Sequence, residues 1–403
     1  MSSIFVHCPI EAGSDPSGLV ARGTIIGKSS SGKLLAENSK PTGKSSPLAQ
    51  PTPKVVQLSG QIKLRSQRRI TWDDGAMTSL LILLTIPPET TAQYCSRLRA
   101  AFPGLTVNLA DHHSRVGPYI RTADILITFA PMLTDAVLQQ AENLKWVQAL
   151  GTGVDNLIDL PSLRRDVIVT NIHGIHGAPM SEAALMAMLA LSRNVPRAVR
   201  NQSGKVWERW PAALLDGKTV GILGMGAIAE ALAPKCRALC MTVVGISSVK
   251  RTVAGFDRVY GRDELVSAVS DLDFLVVLTP YSPATHNLVD NTILAAMKPS
   301  SYLINLARGG VVDERALIGV LEHGRIAGAA LDVFSQEPLP QDHPFWSMKN
   351  VLVTPHLGGF YDGYADRALP VVEENIRRFL AGDTANLINL VKRERLQGRP
   401  EKR

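Results

Sequence analysis

What this 403-residue sequence has little of narrows it first. It has four cysteines, Cys8, Cys95, Cys236 and Cys240, the last two four apart on a predicted helix. None has the spacing of a zinc site or a disulfide framework, so reduced cysteines in a cytoplasmic protein without a structural metal are expected. No apolar run reaches the roughly 18 residues needed to span a membrane, which leaves a soluble chain. Residues 1 to 76 lack hydrophobic periodicity, as in Lys28-Ser-Ser-Ser-Gly-Lys. Such a segment buries too little apolar surface to offset its ordering entropy, so a disordered extension is expected. It also lacks the basic start and apolar core of a signal peptide, its first cation being Arg22. Met77 is an alternative start, because Leu80-Leu-Ile-Leu-Leu-Thr follows at once as a first strand.

A folded body with excess positive charge is also lacking. The net charge is +7, but residues 1 to 76 carry ten Lys/Arg against five Asp/Glu, and residues 390 to 403 carry six against two. Those ends hold +5 and +4, so residues 77 to 389 stand at −2. The basicity belongs to the tails, and no nucleic-acid partner is expected.

What is present is an alternation of short apolar runs and helical segments. Strands are expected over Leu80 to Thr85, Thr106 to Leu109, Ile125 to Phe129, Trp146 to Leu150 and Val167 to Thr170. Helices fall over Thr90 to Ala101 and Thr134 to Glu142. This rhythm means a parallel sheet covered by helices. A helix over Ser181 to Leu191 follows, and a second series of strands runs from Val220 to Val353. Residues 362 to 381 have helical periodicity and are expected to return to the first domain. The resulting division is a disordered extension (1–76), a discontinuous substrate domain (77–177 and 361–390), a nucleotide domain (178–360) and a basic tail (391–403). Hinges are expected near residues 178 and 360.

Val220-Gly-Ile-Leu-Gly224-Met-Gly226-Ala227-Ile228-Ala229 is a strand, a turn and a helix start of the form G-x-G-x-x-G/A. Gly224 permits the tight turn, Gly226 lets a pyrophosphate approach the backbone, and the helix start at Ala227 and Ile228 supplies unpaired amides. The next strand, Thr242 to Ile246, should end in an acid if the cofactor is NAD, for the ribose hydroxyls. In its place stand Ser247, Ser248, Val249, Lys250 and Arg251. Hydroxyls and two cations suit a 2′-phosphate, so NADP is expected as the preferred cofactor, with NAD possible.

Three further runs end in chemistry: Asn305-Leu-Ala-Arg308-Gly-Gly, Leu331-Asp-Val-Phe-Ser-Gln-Glu337-Pro and Thr354-Pro-His356. Leu303-Ile304, Ala329 to Phe334 and Val351 to Val353 read as buried parallel strands. Side chains beyond the carboxyl ends of such strands face the ligand crevice, where Arg308, Glu337 and His356 can meet one small molecule. Arg grips a carboxylate or polarises a carbonyl, His exchanges a proton, and a nearby carboxylate fixes its tautomer. A carbonyl that gains a hydride and a proton needs these parts.

With these motifs in order, residues 77 to 390 resemble the D-isomer-specific 2-hydroxyacid dehydrogenases, most specifically in Asn305 to Leu317 and in Leu331-Asp332-Val-Phe with Glu337-Pro-Leu. The resemblance implies an α/β fold with a Rossmann-type dinucleotide-binding domain inserted in a flavodoxin-like substrate domain. It implies that Arg308 binds the substrate carboxylate and 2-oxygen, that His356 exchanges the proton, and that Glu337 holds His356. Asp332 would bond the nicotinamide carboxamide. The loop Gly151-Thr152-Gly153-Val154-Asp155 would offer backbone amides to the substrate carboxylate. Thr279, Pro280 and Thr285, with Ala307 and Gly358, would flank the cofactor. The reaction implied is reversible reduction of a small 2-oxo acid, of glyoxylate or hydroxypyruvate type, to the D-2-hydroxy acid by a homodimer whose contact includes the helix at Ser181 to Leu191.

Ala229 in place of the third glycine departs from the pattern but needs only close helix packing. Formate oxidation is disfavoured because members that perform it carry Gln at the place of Glu337. Phosphoglycerate oxidation is an alternative, although such members often carry regulatory domains after the core and fewer than fifty residues follow His356. A dinucleotide-sensing, corepressor-like interaction protein of the same fold is the other alternative, with the basic extension as docking arm. His173 and His176, beside Gly174, read as local structure or pocket lining, and Trp207 and Trp210 as interface packing.

Overall fold

The computed structural model describes residues 77–392, so the expected extension at 1–76 and most of the basic tail lie outside the described residues. Two parallel sheets carry the fold. The first holds β1 (Ser79–Leu83), β2 (Thr106–Ala110), β3 (Ile125–Thr128), β4 (Trp146–Ala149) and β5 (Ile168–Thr170) in the order β2-β1-β3-β4-β5. This is the flavodoxin-like 2-1-3-4-5 order. The second holds β6 (Thr219–Leu223), β7 (Thr242–Ser247), β8 (Arg258–Gly261), β9 (Phe274–Val277), β10 (Tyr302–Asn305), β11 (Gly328–Leu331) and β12 (Val351–Val353). Its order, β12-β11-β10-β9-β6-β7-β8, is the Rossmann arrangement with one strand added at the β11 edge.

Both sheets are pinned at their first strand in the same way. Asp124, just before β3, accepts the amide of Ser79, and Asp273, just before β9, accepts the amide of Thr219, each at 2.9 Å. Lys145 pairs with Asp124 at 2.8 Å, and Lys298 with Asp273 at 3.1 Å. Each aspartate thus ties a central strand to its neighbour at the end opposite the crevice. Almost every strand residue of β1, β3, β4, β9 and β10 is buried, as sheets covered by helices on both faces require.

The helix Tyr364–Leu380 returns to the first sheet as its periodicity predicts: Ala368, Leu369, Val372, Ile376 and Phe379 pack with Leu80, Ile82 and Trp146 in one core. Beneath it, fully buried Asn375 donates to Gln148 Oε1 at 3.0 Å, and its amide oxygen accepts from Ile388 N at 2.6 Å. Gln148 also accepts from Thr170, whose hydroxyl receives Trp146 Nε1 at 2.8 Å. Asn375, Gln148, Thr170 and Trp146 are therefore paired, as burial demands, whereas the buried Tyr94 hydroxyl in the same core has no hydrogen-bond partner among the described residues.

Three local expectations are corrected. The run Ala329 to Phe334 is strand only to Leu331, because Asp332 turns into hydrogen bonds with the loop after β12. The helix expected over Thr134 to Glu142 is one turn, Asp135–Leu138, and then closes with a tighter bond from Gln140 N to Val137 O. Cys240 lies past the helix Ala227–Ala238 in a left-handed turn, away from buried Cys236. No helix of the described residues is long and apolar enough to cross a membrane.

Candidate active site

The turn after β10 is folded by one side chain. Asn305, 1% exposed, accepts Ala307 N at 3.1 Å and donates to Arg308 O at 3.0 Å. Arg308 emerges from that turn with Nη1 on the Ala307 carbonyl at 2.7 Å and Nε on Asp155 Oδ1 at 3.2 Å. Asp155 begins the turn of helix after the Gly151 loop, so this ion pair spans the two sheets' crevice edges. It gives Asp155 a role the sequence reading left unassigned: holding the guanidinium plane. Arg308 Nη2 makes no hydrogen bond among the described residues and lies over Gly153, where a β-carbon would stand 1.5 Å away. Gly153 is therefore the gap through which Arg308 reaches the loop.

Gly309 sits against the segment that holds Glu337. An added β-carbon would lie 1.9 Å from the Phe334 carbonyl carbon, so glycine is required for the two loops to touch. Glu337 Oε1 accepts Phe334 N at 3.0 Å, and Oε2 meets His356 Nδ1 at 2.7 Å. With Nδ1–H donated to a carboxylate, Nε2 is the outward atom able to pass a proton. Burial pushes the Glu337 carboxyl up, but the His356 bond and charge, the Phe334 amide and the Arg308 cation together hold it below the ordinary carboxylate range. The three motif residues are thus brought together, with Arg308 close enough to act on Glu337 by charge.

His356 itself has φ +54°, an unusual conformation for a residue with a side chain. Asp332 maintains it. The Asp332 carbonyl accepts His356 N at 2.8 Å, while its carboxylate accepts Thr354 Oγ1 at 2.6 Å and the amides of Leu357 and Gly358, each at 2.8 Å. The structure thereby gives Asp332 the task of shaping the His356 loop, beside its expected contact with the nicotinamide.

The nucleotide features fit a dinucleotide. Gly224 has φ +108°, and a β-carbon there would lie 2.6 Å from Thr279 N, so the glycine turn and the Thr279–Pro280 segment touch only because position 224 is bare. Gly226 faces open space at the start of the helix Ala227–Ala238, which has no side-chain cap. A phosphate would meet orphan amides there. Thr285 is buried and braces its loop, donating to Pro280 O at 2.8 Å and accepting Ser282 N at 2.7 Å. Arg251 Nη2 reaches the glycine turn itself, on Met225 O at 2.9 Å and Glu230 at 3.1 Å. Ser247 accepts Val249 N at 3.3 Å, and Ser248 is exposed beside it. Lys250 pairs with Glu264 at 3.0 Å, an acid from the turn after β8 that the search along β7 alone missed.

The loop after β4 completes the site. Thr152 O accepts Asn171 Nδ2 at 2.6 Å, and Gly151 O accepts Ile172 N at 3.2 Å. Among the described residues the amides of Gly151, Thr152 and Gly153 donate to nothing. Three free amides beside a partly free guanidinium make an anion cradle. His173 is exposed, whereas His176 is bonded to Thr152. Trp210 donates to Arg193 O and lies under the Arg197 guanidinium, and Trp207 is 91% exposed.

Such a fold and constellation define a two-sheet, dinucleotide-dependent class of protein. Residues 185–358 match the D-isomer specific 2-hydroxyacid dehydrogenase, NAD binding domain. The chain is 31% identical over 290 residues to a glyoxylate reductase of Korarchaeum cryptofilum, covering 70% of this chain and 86% of that one. It is 32% identical over 276 residues to a D-3-phosphoglycerate dehydrogenase of Methanocaldococcus jannaschii, across 67% of this chain but 52% of the relative, so it spans about half of that protein's length. Among solved structures, an NADPH-dependent glyoxylate/hydroxypyruvate reductase from Sinorhizobium meliloti, in complex with NADP and sulfate, is similar at 29% identity and TM-score 0.66, over 79% of this chain and 99% of that one. The chain belongs to the D-isomer specific 2-hydroxyacid dehydrogenase family.

Proposed function

We propose that this protein reduces a small 2-oxo acid of glyoxylate or hydroxypyruvate type to the D-2-hydroxy acid, preferring NADPH to NADH, and works as a homodimer. The observation that carries the reading is the His356–Glu337 hydrogen bond of 2.7 Å set beside Arg308. Gly224, Gly226 and the helix start at Ala227 and Ile228 hold the dinucleotide, flanked by Thr279, Ala307 and Gly358. Bound there, the nicotinamide supplies a hydride. Arg308 Nη2 and the amides of Gly151 to Gly153 grip the substrate carboxylate and orient its 2-carbonyl. His356, protonated on both ring nitrogens, delivers its Nε2 proton to the 2-oxygen while Nδ1–H stays on Glu337, and the Arg308 cation stabilises the developing alkoxide. Arg251, on the glycine turn, supplies the positive charge for a 2′-phosphate. Ser247 and Ser248 add hydroxyls, and Lys250 adds a second cation when it leaves Glu264.

The similarity to phosphoglycerate dehydrogenases supports a second reading, oxidation of a 3-phospho-2-hydroxy acid. Against it, the crevice-edge segments 84–88, 129–132 and 151–155 carry no Lys or Arg to receive a phosphate. One assay separates the readings: oxidation of NADPH and NADH with glyoxylate, hydroxypyruvate and phosphohydroxypyruvate. Fast turnover of the first two with a lower Michaelis constant for NADPH is expected, and His356→Ala should lower turnover about 10²- to 10⁴-fold while sparing cofactor binding. No turnover of any 2-oxo acid would sink the assignment.

A further inference from the structure

One bonded cluster beside the site has no part in the chemistry above. His176 Nδ1 lies 2.9 Å from Thr152 Oγ1, and its Nε2 lies 3.3 Å from the Tyr364 hydroxyl. The Thr152 hydroxyl is also 2.9 Å from Ile172 O, and the Tyr364 hydroxyl donates to Leu150 O. The ring stacks at a tilt on Tyr364, centroids 5.7 Å apart, and backs onto Gly359 of the His356 loop, where a β-carbon would stand 3.2 Å from Cδ2. One imidazole therefore touches the substrate loop, the proton-donor loop and the first residue of the helix Tyr364–Leu380.

Two of the four contacts end on carbonyl oxygens, which only accept. The Tyr364 proton goes to Leu150, so Tyr364 Oη is an acceptor facing Nε2. Thr152 has one hydroxyl proton for Ile172 O and Nδ1, each at 2.9 Å. A ring protonated at Nε2 accepts that proton at Nδ1, and a ring protonated at Nδ1 donates to Thr152 Oγ1. In either tautomer Nδ1 and Thr152 Oγ1 share a hydrogen bond. Burial, helped by the neighbouring His173, pushes the imidazole down to about 4, so the ring is neutral near pH 7.

We propose that His176 is a positioning residue whose hydrogen bond between Nδ1 and Thr152 Oγ1 holds Gly151-Thr152-Gly153 in the conformation that presents its free amides and the Arg308 gap to a carboxylate. This rests on the 2-oxo acid reading for what the loop binds, but the bracing of the loop is independent of it. Asn171 fixes the Thr152 carbonyl from the other side at 2.6 Å, so with His176 the residue is clamped at its carbonyl and its hydroxyl while its amide stays free.

Two substitutions separate bonding from packing. His176→Phe keeps an aromatic ring against Tyr364 and Gly359 and removes the hydrogen bond; His176→Asn places an amide, able to donate or accept, where Nδ1 stands. In the full chain, His176→Phe should raise the Michaelis constant for the oxo acid about tenfold, with turnover number and NADPH affinity within threefold of the parent. His176→Asn should recover most of that loss. Hydrogen exchange of peptides covering 150–154 should quicken in the Phe variant and not in the Asn variant, with exchange in the glycine turn unchanged. Parent-like kinetics and exchange in His176→Phe would overturn the proposal, as would equal impairment in both variants, which marks packing alone. Absence of oxo-acid turnover in the parent would reject the functional reading, and the exchange comparison would still decide the bracing.

Discussion

At the scale of single residues, the site depends on absences of side chain as much as on charged groups. Gly153→Ala would drive a methyl into Arg308 Nη2, and Arg308 would leave both the loop and Asp155. Losing a charged hydrogen bond of that kind should raise the oxo-acid Michaelis constant about ten- to a hundredfold with NADPH affinity intact, as steady-state kinetics would show. His176 makes a second prediction, on stability. Its folded value of about 4 lies below the ordinary 6.5, so the unfolded chain takes up this proton first as pH falls. The associated stability is full above pH 6.5, declines through the window from 6.5 to about 4, and is gone below it. Relative to His176→Phe, the parent should lose on the order of 3 kcal/mol across that window, measured by urea unfolding at a series of pH values. A constant difference between the two would contradict it. Arg308, Glu337 and His356 were legible from sequence because each follows an apolar run by a few residues. The partners of Arg308 and Lys250 were not: Asp155 lies 153 positions from Arg308, Glu264 reaches Lys250 from the turn after β8, and no local pattern carries such pairings.

At the scale of elements, the crevice is built from strand ends and the turns that follow them. Gly224 closes the turn between β6 and its helix with φ +108° and with no room for a β-carbon beside the Thr279 backbone. Gly224→Ala therefore meets both a disfavoured backbone and a main-chain clash. A loss of about 2–4 kcal/mol and of NADPH binding is expected, read by thermal unfolding with and without cofactor. The periodic reading placed nine of the twelve strands within a residue or two, because buried parallel strands are short apolar runs, and gave no range to β8 or β9. It overran β11 because Val333 and Phe334 are buried in a loop rather than a strand, and apolar runs alone do not separate these cases. The helix Gly177–Ser192 starts four residues before the expected Ser181, its first turn holding Pro179, a residue that a first turn tolerates.

At the scale of the whole molecule, Met186, Leu189, Val195, Val199, Val206, Trp207 and Leu214 are all exposed within one stretch of chain. So much apolar surface in one region suits a partner surface, and a second copy is the occupant in the homodimer reading. Light scattering should give about twice 43.5 kDa, and Leu189→Glu with Val199→Glu should return the monomer mass. A monomeric parent at micromolar concentration would remove that part of the proposal. The two-sheet plan itself was readable from the alternation of elements and the position of the glycine turn.

The return of the helix Tyr364–Leu380 to the first sheet sets an order of events during synthesis. Leu80, Ile82 and Trp146 leave the ribosome early, yet the residues that cover them, Leu369 to Phe379, and the Ile388 backbone that satisfies Asn375 leave last. All seven strands of the second sheet lie between. The sheet begun first is therefore finished last, and for most of translation Tyr94, Cys95 and Leu98 cover that apolar face without the helix that completes it.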